Sequence, residues 1–300
     1  MKIEYRPKNF GVARLEKIEV ANEIIEEYRE MGYDLTLRQL YYQFVARDII
    51  ENSQRSYNTL GTLINDARLA GMIDWERIVD RTRVLKSNPH WDSPSDIIST
   101  CASQFKYDLR EGQPVYIEAW IEKEALAGVL ESACLPLDIP HFSCRGYVSQ
   151  SAMWRASQRI MSNVGMSREC IIIHLGDHDP SGIDMTRDIN DRLELFGVPQ
   201  NRLRVDRIAL NMSQVEDYSP PPNPAKVTDS RAKEYIANYG EQSWELDALD
   251  PRTITKLITR TVEGNTDMEL FEAQQLKQSE ARQEIGLIAK NYSDVINGLL

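Results

Sequence analysis

The chain has 300 residues, enough for two ordinary domains, and its 42% hydrophobic and 27% charged residues fit a water-soluble globular protein. No apolar run approaches the roughly 20 residues of a membrane span. The opening "MKIEYRPKNF" lacks the apolar block of a signal peptide, so a cytoplasmic location is expected. The net charge of −11 argues against a wholly basic nucleic-acid binder. Of the 35 basic and 46 acidic side chains, however, residues 1–110 hold 16 and 17, so a local basic face in the first third stays open.

Residues 11–31 carry apolar positions at helical spacing and end at Gly32. Thr36 is a good N-cap for a second helix running to about Arg47. On that helix Leu37, Leu40, Tyr41, Phe44 and Val45 form a core-facing stripe. Tyr41 belongs to the stripe and reads as a core aromatic. Tyr42 lies off it, one turn after Arg38 and on the same face. A third helix covers about 55–69, closed by Gly71, and "MIDWERIVDRTRV" then reads as a short strand or hairpin. Three helices and a small β element outline a winged helix, in which the third helix commonly enters a DNA groove. Arg55, Ser56, Asn58, Thr59 and Arg68 on that helix are candidate DNA contacts, with Arg77, Arg81 and Arg83 from the β element. A solvated helix face is the alternative account of the same residues.

"KSNPHWDSPSD" (86–96) reads as a linker. The expected organisation is a winged-helix domain over 1–86, a linker over 87–112, and an α/β domain with a helical extension over 113–300. In that last part strands at "PVYIEAWI", "IPHFSC", "ECIIIHLG" and "LRVDRIAL" alternate with helices at about 123–132, 149–161 and 182–195. Such alternation predicts a parallel sheet covered on both faces. "DYSPPPNPAKVTD" is too Pro-rich for regular structure, and the tail from about Pro251 is mainly helical. The four cysteines lack zinc spacing and read as reduced core or boundary thiols.

In an open α/β sheet, ligands bind beyond the carboxyl ends of the strands. The first strand ends in "IEKEA", with Glu122 at its tip and Glu124 beyond. The third ends in "GDHDPSG", with Asp177 and Asp179 two apart on one side. Three such carboxylates would repel one another unless a hard cation with oxygen ligands joined them, and Mg²⁺ is the default. Gly176 and Gly182 allow close backbone approach. His178, between the aspartates, is expected to face away, and His174 to be a satisfied core histidine. The bland alternative is that these acids cap helices or pair with Lys and Arg. A tyrosine with a pKa near 10 needs help to act as a nucleophile, and the Arg38 guanidinium could stabilise the phenolate or grip a phosphate.

"IEKEAL", "CRGYVSQSA" and "GDHDPSGIDM" together resemble the successive motifs of a Toprim domain. They are most similar to the version in the topoisomerase VI A subunit and the related meiotic break-forming protein, and the small size is similar to the reduced topo mini-A relatives. "LRQLYYQF" resembles the tyrosine-bearing motif of that family's winged-helix domain. The likeness covers roughly residues 30–215. It implies Mg²⁺-dependent (or Mn²⁺-dependent) cleavage of double-stranded DNA by a tyrosine, leaving a 5′-phosphotyrosyl link and a free 3′-hydroxyl. By motif the nucleophile is Tyr42, with Arg38 beside it, and the metal residues are Glu122, Asp177 and Asp179. Arg145, Gly146 and Tyr147 match the glycine-containing motif beside the site, with Arg145 a further candidate DNA contact. The resemblance also implies a homodimer in which tyrosine and metal come from different protomers. The family's ATPase B-type subunit is a further partner, but the chain before the tyrosine is short, so its docking region is expected to be missing. Nothing in the chain resembles an ATPase. "WELDALDP" (244–251) is similar to a helix start of the family, with Glu245 and Asp247 as outer acids. Two alternatives stay open: a Toprim metal nuclease that uses water, and a non-catalytic DNA-binding module.

Overall fold

The computed structural model describes residues 1–32, 34–79, 88–225 and 229–299. Helix α1 (Val12–Glu30) buries Ile18, Ala21, Ile24, Ile25 and Tyr28. Helix α2 (Leu37–Ala46) starts at a reciprocal capping box, in which the Thr36 side chain accepts from Gln39 N–H and the Gln39 side chain accepts from Thr36 N–H. Helix α3 (Gln54–Leu69) is capped by Ser53, whose hydroxyl accepts from Ser56 N–H. The three helices share one core with Leu35, Ile73 and Ile78.

The strand or hairpin expected after α3 is not formed over 72–79, where a single parallel bridge joins Leu35 to Ile78. Arg68 accounts for this. Its guanidinium donates to the carbonyls of Trp75 and Ile78 and lies 4.8 Å over the Trp75 ring, holding the segment as turns. The rest of the expected β element, with Arg81 and Arg83, lies outside the described residues. The span read as a linker carries helix α4 (Pro94–Gln104), with Ser93 as N-cap and Pro94 in the first turn.

Beyond α4 the chain is α/β. Strands β1 (Val115–Ile121), β2 (His141–Ser143), β3 (Glu169–Leu175) and β4 (Leu203–Ala209) form a parallel sheet in the order β2-β1-β3-β4. Helices α5 (Ala127–Cys134), α6 (Gln150–Gly165) and α7 (Pro180–Leu195) connect them. Then follow α8 (Met212–Tyr218), the short strand β5 (Asn223–Pro224), α9 (Ala232–Tyr239) and β6 (Gln242–Ser243), which pairs with β5. The tail is helical: α10 (Pro251–Glu263), α11 (Met268–Lys290), which packs on α4, and α12 (Tyr292–Leu299).

Side-chain alternation along β1 divides the sheet core in two. Ile117, Ala119 and Ile121 pack with residues of α5 and α10, whereas Trp120 packs with residues of α6 and α7. Both faces are therefore covered. The β1–β3 register pairs Ile121 with Leu175, which brings the carboxyl ends of these strands level. No helix among the described residues is long and apolar enough to cross a membrane.

Candidate active site

Glu122 leaves the end of β1 and its Oε2 accepts the Asp177 N–H at 2.8 Å. This reach depends on Gly176, because a Cβ there would stand 2.9 Å from Glu122 Oε2. Asp179 is the N-cap of α7, its Oδ1 accepting from Gly182 N–H at 2.6 Å and from the Ser181 hydroxyl at 2.9 Å. Gly182 is likewise required, since a Cβ would fall 2.1 Å from the Asp177 carbonyl oxygen. Arg207 of β4 clamps the same turn from behind, donating to the carbonyls of Gly176, Asp177 and Gly182. Helix α7 thus begins two residues before the expected Gly182, and one predicted metal acid doubles as its cap.

Burial raises the Asp177 carboxyl to about 7, with Lys123 pulling it down and Glu122 pushing it further up. Burial also raises Glu122, and the Asp179 charge adds to the rise. Burial and mutual repulsion thus hold Glu122 and Asp177 above the usual carboxylate range.

A second layer comes from the segment after β6. Backbone bonds exchanged between His178 and Trp244 fix it against the end of β3, and Leu246 N–H donates to Asp177 Oδ1 at 2.8 Å. Glu245 and Asp247 are thereby placed beside the cluster. Lys123 Nζ lies 2.7 Å from Glu245 Oε2, 2.8 Å from Asp247 Oδ1 and 3.1 Å from Asp177 Oδ1. On the other side, Arg38 Nη2 donates to Glu245 Oε2 at 2.5 Å and Nε to Asp247 Oδ2 at 3.1 Å. Arg38 Nη2 is also 3.4 Å from the Tyr42 hydroxyl, with the guanidinium 5.7 Å over the ring. One continuous chain of charged contacts thus runs from Tyr42 to Asp177. Leu246 of the same short turn belongs to the sheet core and Ala248 to the helical core, so the turn joins the two halves.

The two tyrosines differ, though not in the way periodicity suggests. Tyr42 is only 2% exposed and Tyr41 4%. The face Tyr42 shares with Arg38 is covered by the chain's own 244–248 segment, which helical periodicity on α2 alone does not register. Burial raises the Tyr42 phenol well above its ordinary value; Asp247 and Glu245 add to the rise and Arg38 opposes it. The Tyr41 hydroxyl has a structural task, donating to Asn52 Oδ1 at 2.9 Å and accepting from Ser53 N–H at 2.8 Å. Glu245 is held down at about 2: burial opposes this, but Lys123 and the hydrogen bonds from Tyr42 and Arg38 prevail.

Of the expected DNA-contact residues, Arg55 is exposed near the start of α3, whereas Arg68 is committed to the Trp75 and Ile78 carbonyls. Arg145 is exposed but makes a bidentate pair with Glu124 at 2.7 and 2.9 Å. Tyr147 donates to Asp184 Oδ2 at 2.6 Å. His178 faces away from the acids, its Nδ1 2.8 Å from the Tyr235 hydroxyl, as expected. His174 is paired through Nδ1 with the Thr186 hydroxyl, while its buried Nε2 has no partner among the described residues. All four cysteines are free thiols; Cys134 and Cys170 are buried and Cys101 is exposed. Sequence reasoning passed over Lys123 and Arg207. The first stands between two glutamates at a strand end, and the second is an arginine inside an otherwise core-forming strand; both are legible signals.

Among the described residues no three His, Cys, Asp or Glu side chains are already gathered as metal ligands would be. The donor chemistry still suits a hard cation: Glu122, Asp177 and Asp179 offer only oxygens, and the first two are held above their ordinary range by burial and their neighbours. No protein-family model matches the chain, and no curated protein matches it.

Proposed function

We propose that the protein is a divalent-cation-dependent DNA-cleaving transesterase, similar to the type IIB topoisomerase A subunit, with a winged-helix part joined to a Toprim part. The observation that carries this is the charged connection from Arg38 and Tyr42 on α2 to the strand-end acids. Tyr42, Arg38 and the strand-end Asp177, far apart in sequence, meet through one turn.

In the proposed reaction the Tyr42 oxygen attacks a backbone phosphorus. The P–O3′ bond breaks, the phenol proton leaves to solvent, and the O3′ oxygen departs as a hydroxyl after taking up a proton. One phosphodiester replaces another, so no energy source is required. Arg38 would exchange its two carboxylate partners, each held by one bond, for one phosphate held by two. Glu122, Asp177 and Asp179 would hold Mg²⁺ or Mn²⁺, which when bound would offset charge on the phosphate oxygens. Two copies on one duplex would cut both strands, each with the tyrosine and acids joined within its own chain, in place of the sharing between protomers that the resemblance implies.

The 2% exposure of Tyr42 and its raised pKa favour one second reading, a Toprim nuclease in which water attacks. The two separate by covalent trapping on supercoiled DNA with Mn²⁺. A denaturant-stable protein–DNA adduct, absent in Tyr42→Phe and in Asp177→Asn, supports the transesterase. Strand cleavage that persists in Tyr42→Phe without an adduct supports the nuclease.

A further inference from the structure

Glu245 Oε2 lies between two cations that come from the two halves of the molecule, Arg38 Nη2 of α2 at 2.5 Å and Lys123 Nζ, just past the end of β1, at 2.7 Å. Two charged donors that converge on one oxygen make a binding place for an oxyanion. The same Arg38 Nη2 stands 3.4 Å from the Tyr42 hydroxyl, and the same Lys123 Nζ stands 3.1 Å from Asp177 Oδ1. The place thus lies between the tyrosine and the strand-end acids. It suits negative charge: burial works against the Glu245 carboxylate, yet Lys123 and the hydrogen bonds from Tyr42 and Arg38 hold it at about 2.

The two acids that meet these cations are anchored differently. The Asp247 side chain is fully buried and reaches both, with Oδ1 2.8 Å from Lys123 Nζ and Oδ2 3.1 Å from Arg38 Nε. The Glu245 side chain is 25% exposed and Arg38 beside it 43%, so the place opens to solvent. Its other oxygen, Oε1, has only a long contact, 3.5 Å from Asn223 Nδ2. The neighbours of Glu245 carry the turn without it. Trp244 exchanges backbone bonds with His178, Leu246 N–H donates to Asp177 Oδ1, and Leu246 and Ala248 each belong to a core. The Glu245 side chain can therefore swing out while the turn stays, and Asp247 keeps Lys123 at the site.

We propose that Arg38 and Lys123 together form the subsite for the scissile phosphate of DNA, and that Glu245 fills it as an internal stand-in until DNA enters. The proposal rests on the DNA-cleaving reading of the site. In the closed form the Glu245 carboxylate occupies both donors and repels a phosphate approaching Tyr42. A phosphate oxygen at the Glu245 Oε2 position restores both charged hydrogen bonds. Departure of the carboxylate also frees the Tyr42 hydroxyl from its bond to Glu245.

The test is the affinity of the full chain for a duplex oligonucleotide, read by fluorescence anisotropy in a metal chelator so that binding is measured without cleavage. Wild type, Glu245→Ala, Lys123→Gln and the double variant are compared. Glu245→Ala should bind about tenfold more tightly, roughly what one charged hydrogen bond contributes once no internal acid takes it up. In the Lys123→Gln background the same change should gain about threefold or less, because one of the two donors is missing. A folded Glu245→Ala that binds no more tightly than the wild type overturns the proposal. Equal gains in both backgrounds also overturn it, since they would report only the loss of a nearby negative charge. If Glu245→Ala does not fold, the isosteric Glu245→Gln is read by the same rule. If Lys123→Gln does not fold, salt dependence decides: Glu245→Ala should gain about one phosphate contact over the wild type, and an unchanged slope overturns the proposal. The cleavage reading fails separately. A Lys123-dependent gain with no Tyr42 adduct upholds the subsite and sinks the transesterase, whereas an adduct without that gain does the reverse.

Discussion

A buried carboxyl held near neutrality should make stability fall with pH in a window where few other groups titrate. Asp177 is 7% exposed and its carboxyl is raised to about 7, whereas in the unfolded chain it ionises near 3.9. Above that unfolded value the folded form binds more protons, so stability declines as pH rises through the folded pKa. His174 and His178 act in the opposite sense. Held down at about 3 and about 4, chiefly by burial, they stabilise above the unfolded histidine value and lose that contribution as pH falls. Above about pH 6.5 their effect flattens and Asp177 dominates. Integrating a single site of pKa about 7 from about pH 6.5 to 8 gives a loss of about 0.8 kcal/mol. At the 2–4 °C per kcal/mol of mid-sized domains, Tm should fall by about 2–3 °C. The assay is thermal unfolding in a metal chelator across that range, for the wild type and for Asp177→Asn, which can still accept from Leu246 N–H. The variant should show no such fall. Excess Mg²⁺ should remove it from the wild type, because a cation favours the ionised form. A flat wild-type profile, or an equal slope in Asp177→Asn, would mean that Asp177 does not carry this pH dependence.

The arginines of the helical part should separate into two classes. Arg68→Ala should lower stability by about 1–3 kcal/mol in denaturant unfolding, since it strips two carbonyls of a half-buried donor. At equal folded concentration its DNA affinity should be nearly unchanged. Arg55→Ala should do the reverse, with stability within about 0.5 kcal/mol and, in fluorescence anisotropy on duplex DNA, a salt dependence reduced by about one phosphate contact. Tyr41→Phe should cost about 1–2 kcal/mol through loss of its bonds to Asn52 and Ser53 while leaving cleavage per folded molecule intact. Loss of cleavage in that variant would mean that Tyr41, not Tyr42, is the reacting group.

Much of this architecture is legible because local signals and the global fold agree. Thr36 announces a helix start that is realised, and the helices expected from about 55 and 149 begin at the caps Ser53 and Ser149. The four strands fall where apolar runs end in turn residues. Other features escape because their cause is not local. Ser93 and Pro94 are helix-start residues, but within a Pro- and Ser-rich stretch they read as linker until α11 provides a surface for α4. The turns after α3 depend on an arginine seven residues upstream of Trp75. Tyr42 looks exposed on a helical wheel because its cover, the turn at 246–248, lies some two hundred residues further along the chain. At the acids the plainer reading of the sequence is realised: Asp179 caps a helix and Asp177 meets a lysine, while burial keeps the Asp177 carboxyl raised.

Locating the covalent bond decides whether Tyr42 is the attacking group. The adduct formed on DNA with Mn²⁺ is denatured, trimmed with nuclease and digested with trypsin, and the peptide covering residues 39–47, which contains both tyrosines, is fragmented in a mass spectrometer. The proposed chemistry places the residual nucleotide on Tyr42 through its 5′-phosphate. A nucleotide on Tyr41, or DNA cut with every copy of that peptide unmodified, would contradict it.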